Sequence, residues 1–507
     1  MGVVGRLHPK SRVAGAGLAA LLVCGPTICS AESLFDAIRL AYDTNPALRA
    51  QQAQLRATDE GYVQARAGYG PQVNISGQVA YDSARVEQPA SLFSPATTTD
   101  LRAGTGSVDL SVVQPLYTAG STRAQVRGAA ANILAGRENL RHAESQLIEK
   151  VITAYVDVRR DRETLQILKD EITALTGEFD ETKAKGALGQ LSKTDVAQSE
   201  ARLLSAQAQL NLAQGRLNVS NAEYLNVVGQ SPGELAPEPD LAGTPVTVDE
   251  AFEAADHNNS QLLSAIDTER AAREKVNQAK AAYGPTVSIK LDAAIAPIEP
   301  YFARQYDQSV SAAVVFNQPL YASGLNSSKI REAVERDNIA LLDIETARRG
   351  VVQVVAQGWD QLVSTRNAIA IEERQVEVEK IAVAGNRIEE RVGIRSTIDM
   401  LNAELELADT RLALTQSRHD EYVARAVLLS AMGLLEVQFL TPGAQTYDPE
   451  ASLHRVRTLY APPWEDAIGA LIDSIGAANT AARPLSLPDA GAQRPADMPS
   501  LPQSPPP

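Results

Sequence analysis

The chain states one pattern twice, and this duplication constrains the fold more than any other feature of the sequence. Arg66-Ala67-Gly68-Tyr69-Gly70-Pro71 recurs 214 residues later as Lys280-Ala281-Ala282-Tyr283-Gly284-Pro285. Asn45 and Leu48 recur at the same offset as Asn259 and Leu262. Gln114-Pro115-Leu116-Tyr117 recurs 204 residues later as Gln318-Pro319-Leu320-Tyr321. Gly189, Ser192, Asp195 and Glu200 recur at that same spacing as Gly393, Ser396, Asp399 and Glu404. A period of about 200 residues far exceeds that of a solenoid, whose units run to roughly 20–50 residues, so this is a duplicated module. The second copy lacks ten residues between its Gly-Pro and its Gln-Pro. A stretch that tolerates such a change reads as a surface loop.

Each copy carries the same internal order. A helix of 30-odd residues, about 33–68 and then about 249–282, ends at Gly-Pro, because the residue before proline is pushed toward extended geometry. The apolar period then changes to two. Val73, Ile75, Val79 and Tyr81 alternate with Gln72, Asn74, Ser76 and Gln78, as Val287, Ile289, Leu291 and Ala293 do with Thr286, Ser288, Lys290 and Asp292. After a Pro- and Ser-rich loop (88–99; 297–300), a return strand follows, with Val108, Leu110 and Val112, or Val310, Ala312, Val314 and Phe316. Alternation of this kind predicts one apolar and one polar face. Each copy supplies a hairpin, at about 71–118 and 285–321, and the chain supplies four strands.

Past Gly120 and Gly324 a Pro-free helical segment runs about 121–185 and 325–390, on the order of 100 Å at 1.5 Å per residue. Val151, Val158, Leu165, Ile172 and Phe179 form a heptad row that Val355, Leu362, Ile369, Val376 and Val383 repeat. This predicts coiled-coil packing on one narrow seam, although the companion row is broken by Asp161, Gly358, Glu372 and Glu379. A Gly-containing turn and a returning helix to about Val228 or Met432 complete each copy. The modules are delimited as 32–245 and 246–445. Residues 446–507 form an extension whose last part, from 484, holds eight prolines and reads as disordered.

Residues 1–31 read as a secretory leader: Arg6, Lys10 and Arg12, then a mostly apolar stretch, then Cys29-Ser30-Ala31. Removing its three basic residues takes the formal charge from −15 to −18. Such a chain has no basic surface for nucleic acid. Both cysteines, Cys24 and Cys29, lie in the leader, each after a large apolar residue that disfavours lipidation, and the mature chain can form no disulfide. The five histidines are scattered, so no metal cluster or catalytic constellation is legible. There is no phosphate-binding glycine loop. No cofactor, metal or catalytic residue is expected, and the chain is not expected to be an enzyme.

Four amphipathic strands cannot close a barrel alone, since bacterial barrels begin at about eight strands, and an open edge facing lipid leaves backbone groups unpaired at several kcal/mol each. Other copies must complete the sheet. Two would give eight strands and three would give twelve.

These residues resemble the TolC family of outer-membrane efflux and secretion channels. The resemblance covers about 34–440 and is carried by Ala41-x-x-x-Asn45-Pro46, Ala65-x-Ala67-Gly68-Tyr69-Gly70-Pro71, Gln114-Pro115-Leu116-Tyr117-x-x-Gly120 and the motifs ending Thr194-Asp195-Val196 and Ile398-Asp399-Met400. It implies a mixed fold: a twelve-stranded barrel shared by a homotrimer and set in outer-membrane lipid, above a long α-helical barrel crossing the periplasm. It also implies a periplasmic membrane-fusion adaptor and an inner-membrane ABC exporter or proton-driven pump as partners. The first-half pattern looks most like members serving type I protein secretion; multidrug efflux is the alternative. A soluble periplasmic coiled-coil adaptor is a third reading, against which the two hairpins count.

The resemblance also implies where function sits. In similar proteins the helical turns close the periplasmic entrance. By matched position Arg395 falls on a gating arginine, Thr194 and Asp195 on its partners, and Asp399 on an acidic ring. Asn402 stands where a second acidic ring residue occurs, and Glu390 where a constriction tyrosine occurs. Position alone also fits Arg395 and Asp195 as solvated helix-end charges. Leu188, Gly189, Leu191 and Ser192, with Val392, Gly393, Ile394 and Ser396, match the contact site for the adaptor. Any turn between helices calls for such glycines, but not for apolar side chains at an exposed tip. Tyr117, Tyr321, Tyr301, Phe302 and Tyr306 suit membrane-interface belts.

Overall fold

A computed structural model describes residues 31–90, 92–297, 306–440 and 446–459. Residues 1–30, within the expected leader, the Pro-rich tail, Tyr301 and Phe302 lie outside these described residues.

The order of elements repeats, as the sequence does. The first copy runs α1 (Leu34–Thr44), α2 (Pro46–Arg66), β1 (Gln72–Gln88), β2 (Thr97–Tyr117), α3 (Ser121–Ala187) and α4 (Lys193–Val228). The second runs α5 (Val248–Asn258), α6 (Ser260–Ala281), β3 (Thr286–Pro297), β4 (Tyr306–Asn317), α7 (Leu325–Arg391) and α8 (Thr397–Ala431). Two short helices follow, α9 (Val437–Leu440) and α10 (Pro449–Leu459).

The single opening helix expected in each copy is two helices. Pro46 holds Asn45 extended (φ −63°, ψ 122°), and the Asn45 side chain accepts from the amides of Ala47 and Leu48 to start α2. Ser260 stands where Pro46 did, yet Asn259 makes the same break by accepting from Gln261 and Leu262. The capping asparagine therefore suffices without the proline.

The four strands form one antiparallel sheet in the order β1-β2-β3-β4, leaving β1 and β4 as edges. The register stacks Ile75 on Leu110, Leu110 on Ala293, and Ala293 on Val310, so the alternation of all four strands adds up to one apolar face. That face is uncovered within the chain: Val79 is 92% exposed and Val310 86%. The opposite face carries Gln72, Asn74, Ser76, Ser111, Lys290 and Asp292. The ten residues missing from the second copy are not a longer loop. Each strand of the first hairpin extends by five residues, so that pairs from Ala84↔Leu101 to Gln88↔Thr97 project beyond the end of the second hairpin, which closes at Pro297↔Tyr306. The backbone ladder continues through this added segment, where Arg85 and Asp100 form an exposed ion pair at 2.8 Å.

The long helices α3 and α7 each have 67 residues, about 100 Å of helix. Val151 and Val158, like Val355 and Leu362, are fully buried, as the heptad row requires. The breaks in the companion row have local reasons. Asp161 accepts from Ser220 Oγ at 2.5 Å, and Gly358 lets α7 close on Leu428 of α8, whose Cβ lies 3.5 Å from where a side chain would begin. The main core gathers α1, α2, the middle of α3, the end of α4 and part of α8 around Tyr155 and Tyr224. Tyr155 donates to the carbonyls of both Glu32 and Ala236, tying the segment before α1 to the chain between the copies. Beyond Thr446 the sequence shows no helical period, yet α10 forms and packs on α2. Arg457 lies over the Tyr62 ring and Arg137 pairs with Glu450. Among the described residues no helix is long and apolar enough to cross a membrane.

Candidate functional site: the helical tips

The far ends of the long helices form two turns built alike. Gly189 and Gly393 adopt φ of +74° and +76°, a left-handed conformation that ends each long helix and that a β-carbon would strain. Each returning helix then starts with a reciprocal cap. Ser192 Oγ accepts from the Asp195 amide at 3.1 Å, while Asp195 Oδ2 accepts from the Ser192 amide at 3.0 Å. Ser396 and Asp399 repeat this at 3.3 and 3.2 Å. Such a box satisfies otherwise orphaned amides. The Ser396 hydroxyl and amide hold the Asp399 carboxyl below its usual range. Both aspartates thus have a local structural role that fully accounts for the Ser-x-x-Asp repeat.

Apolar side chains project where the turns are most open. Leu188 is 74% exposed, Ile394 75% and Val392 65%. Leu191 is half-buried, and Thr194 is exposed on the first turn of α4.

Arg395 does not meet Thr194 or Asp195 within one chain: its Nε donates to Glu389 Oε2 of its own hairpin at 2.9 Å. The two hairpins are instead joined by the residues that depart from the family pattern. Glu390 receives Lys185 Nζ from the end of α3 at 2.9 Å and is nearly buried. Asn402 accepts from Arg202 of α4 at 2.8 Å. Lys185 also reaches Glu181, and these two carboxylates raise the proton affinity of its ammonium group. Sequence reasoning did not single out Lys185 or Arg202; the only local trace is the Glu181–Lys185 spacing of four, common on any helix face.

Behind this contact the tip is crowded with acid. Burial, reinforced by Glu181, Glu390 and Glu404, pushes the Glu178 carboxyl up to about 7. Burial, with Asp409 and Glu404, also raises Glu171. Arg387 offsets part of this charge by pairing with Glu404 at 2.5 Å. Among the described residues no group of three or more His, Cys, Asp or Glu is placed to hold a metal ion.

At the other end, the sheet's exposed apolar face suits lipid and its polar face a water-filled lumen. Tyr321, at the strand-to-helix junction, is 87% exposed.

The comparisons with known proteins agree with this geometry. The family model described as outer membrane efflux protein matches residues 37–230 and again 251–434, once per copy. The chain is 29% identical over 448 residues to the outer membrane efflux protein BepC of Brucella suis, covering 88% of this chain and 95% of that protein. It is 23% identical over 339 residues to the alkaline protease secretion protein AprF of Pseudomonas aeruginosa, covering 64% and 69%. The CmeC outer membrane channel of Campylobacter jejuni superposes with a TM-score of 0.70, covering 89% of this chain and 98% of that chain; at 13% identity this shows the fold alone. With an unclosed amphipathic sheet at one end and paired helical turns at the other, the chain belongs to the outer membrane efflux protein family, the TolC-type channels of the Gram-negative outer membrane.

Proposed function

We propose that three copies of this chain form a passive conduit that carries cargo from a periplasmic adaptor and an inner-membrane transporter to the exterior. The observation that carries this reading is the four-stranded sheet, apolar on one face and unpaired at β1 and β4, joined directly to helices about 100 Å long. A sheet edge in lipid is tolerable only when closed, and each copy offers a free β4 to the next copy's β1. Fractionation with the outer membrane, a trimer in detergent and single channels in planar bilayers are the expected results. A water-soluble, folded monomer contradicts the reading.

For the cargo we favour a secreted protein handled by a type I system. The similarity to AprF, named for alkaline protease secretion, supports it. The similarity to BepC, named as an efflux protein, supports small-molecule efflux as the second reading. Deleting the gene and comparing the extracellular proteome with drug susceptibility separates them: loss of one exported protein supports secretion, and drug sensitisation with an unchanged proteome supports efflux.

The helical tips serve as the gate in this reading. Lys185–Glu390 and Arg202–Asn402 tie the two hairpins of a copy together. Arg395, held by Glu389 in the single chain, exchanges to Thr194 or Asp195 of a neighbouring copy in the closed trimer, and Asp399 contributes to an acidic ring. Leu188, Leu191, Val392 and Ile394, around Gly189, Ser192, Gly393 and Ser396, form the surface for the adaptor. Replacing Asp195 with Asn tests the exchange: higher open probability supports it, and unchanged gating contradicts it.

A further inference from the structure

A cleft of about 740 Å³ lies where the sheet meets the helices, between the start of α3, the end of α6 and the start of α7. Its side of the sheet is fixed by register. Thr286 lines it and belongs to the polar row of β3 that continues through Ser288 and Lys290, whereas Val287, paired with Tyr117, belongs to the apolar row. The cleft therefore opens on the face turned away from lipid.

Basic side chains from two helices converge on its lining. Lys275 of α6 and Lys329 and Arg336 of α7 enter it, with Glu332 as the one carboxylate. Glu332 is taken by Arg336 at 2.6 Å. Lys275 reaches only the amide oxygen of Gln278, at 3.4 Å, and among the described residues neither Lys275 nor Lys329 has a carboxylate partner. Ser121 and Gln125 of α3, where Gln125 Nε2 donates to Ser121 Oγ at 3.3 Å, add neutral polar groups to the same lining. Two ammonium groups without a carboxylate partner and two neutral polar side chains thus line one hollow, in a chain whose formal charge is −15. On the same polar face Lys290, by contrast, is paired with Asp292 at 3.2 Å.

The geometry points to this cleft as a binding site for anionic groups, carboxylate or phosphate, on cargo passing along the lumen. The inference rests on the conduit reading above and adds the charge class of what pauses there. Three copies set three such clefts around one axis just below the barrel. Charge concentrated in a walled passage raises the local concentration of counter-ions, so a multivalent anion that meets both lysines of a cleft is held longer than a monovalent one.

Inorganic tripolyphosphate is the probe, added to the full mature trimer in planar bilayers of phosphatidylcholine, which supplies no anionic headgroup to compete. The expected result is reversible block of the current by tripolyphosphate. In the double variant Lys275→Gln with Lys329→Gln the half-blocking concentration rises about ten-fold or more. Gln125→Glu, which places a carboxylate in the cleft without removing either lysine, gives the same weakening and guards against a misfolded double variant. Lys290→Gln, in the barrel, leaves block within about two-fold of wild type. Conducting channels that ignore tripolyphosphate, or a Lys290→Gln variant as impaired as the double one, overturn this inference alone. A preparation that forms no channels overturns the conduit reading and this inference together.

Discussion

Helices α3 and α7 descend from one ancestral segment and have the same length, yet they treat their apolar surface differently. On the shared seam they match: Val151 and Val158 are as buried as Val355 and Leu362. About a quarter-turn away they part. On α7, Val334, Leu341, Val352, Val363, Ile381 and Ile388 follow one another at steps of seven, eleven or eighteen residues, close to whole turns, and so form a second apolar stripe. It is uncovered, with Ile381 73% exposed and Ile388 63%. The matching positions on α3 are Ala130, Arg137, Ile148, Arg159, Gly177 and Ala184. There Arg159 pairs with Glu238 and Arg137 with Glu450, inside the chain. Elsewhere the exchange runs the other way: buried Leu168 and Leu175 of α3 answer to Glu372 and Glu379 of α7. α3 packs against α2, α4, α6 and α8, whereas α7 packs against α6 and α8, with α5 added over a short stretch, and leaves this stripe exposed among the described residues. One copy became an interior helix and the other an edge helix, and the edge stripe is what a neighbouring copy must cover.

Breaking the stripe has the largest expected effect. Val363→Arg combined with Ile381→Arg places three pairs of charges in the proposed interface, at a cost of several kcal/mol per copy. The trimer is lost on size-exclusion chromatography while far-ultraviolet circular dichroism keeps its helical signal. A trimer that survives shows that α7 does not face a neighbour. The interior helix predicts the opposite phenotype. Leu168→Ala on α3 removes a buried side chain and costs about 2–5 kcal/mol, read as a lower unfolding midpoint with subunit number unchanged.

Tyr155→Phe sharpens the same contrast. It leaves the Ala236 carbonyl without its donor, while the Glu32 carbonyl keeps the Ala236 amide, costs about 1–3 kcal/mol, and has no counterpart on α7, where Trp359 occupies the matching place.

At the tips, Glu390→Gln removes the charge from the contact with Lys185. Part of that contact is exposed, so the stability change is under about 1 kcal/mol. The readout is gating: open probability rises if this contact holds the two hairpins together and stays constant if it does not. The smallest effect is one of pH. The Glu178 carboxyl is raised in the folded tip from an ordinary 4.5 to about 7, so its protonated form favours the packed state. That contribution is complete below about 4.5 and is lost as pH rises through about 7. Protection of tip amides, taken relative to the intrinsic exchange rate at each pH, should fall between those values in the wild type and change little in Glu178→Gln.

Much of the fold was legible because the chain repeats itself. The ends of the long helices, the two hairpins and the returning helices follow from apolar period and from Gly-Pro punctuation, and repetition at a fixed offset told signal from accident. The parts that were not legible depend on distance along the chain or on single side chains. One asparagine divides α1 from α2, a break that an Ala- and Gln-rich pattern does not announce. The extra residues of the first hairpin went into paired strand rather than loop, and the Arg85–Asp100 contact that accompanies them forms only across the ladder. α10 has no period of its own and forms by packing on α2. At the tips, sequence reasoning found the turns and their capping aspartates, but Lys185 and Glu390 are separated by 205 residues, and no local pattern links them.

The account stands on one claim: a single chain leaves the β1 and β4 edges and the α7 stripe open, and identical neighbours close them. Light scattering of detergent-solubilised mature protein, with the detergent mass subtracted, tests it directly. The account predicts a particle of three chains. A homogeneous, folded particle of one chain with native helical content contradicts it.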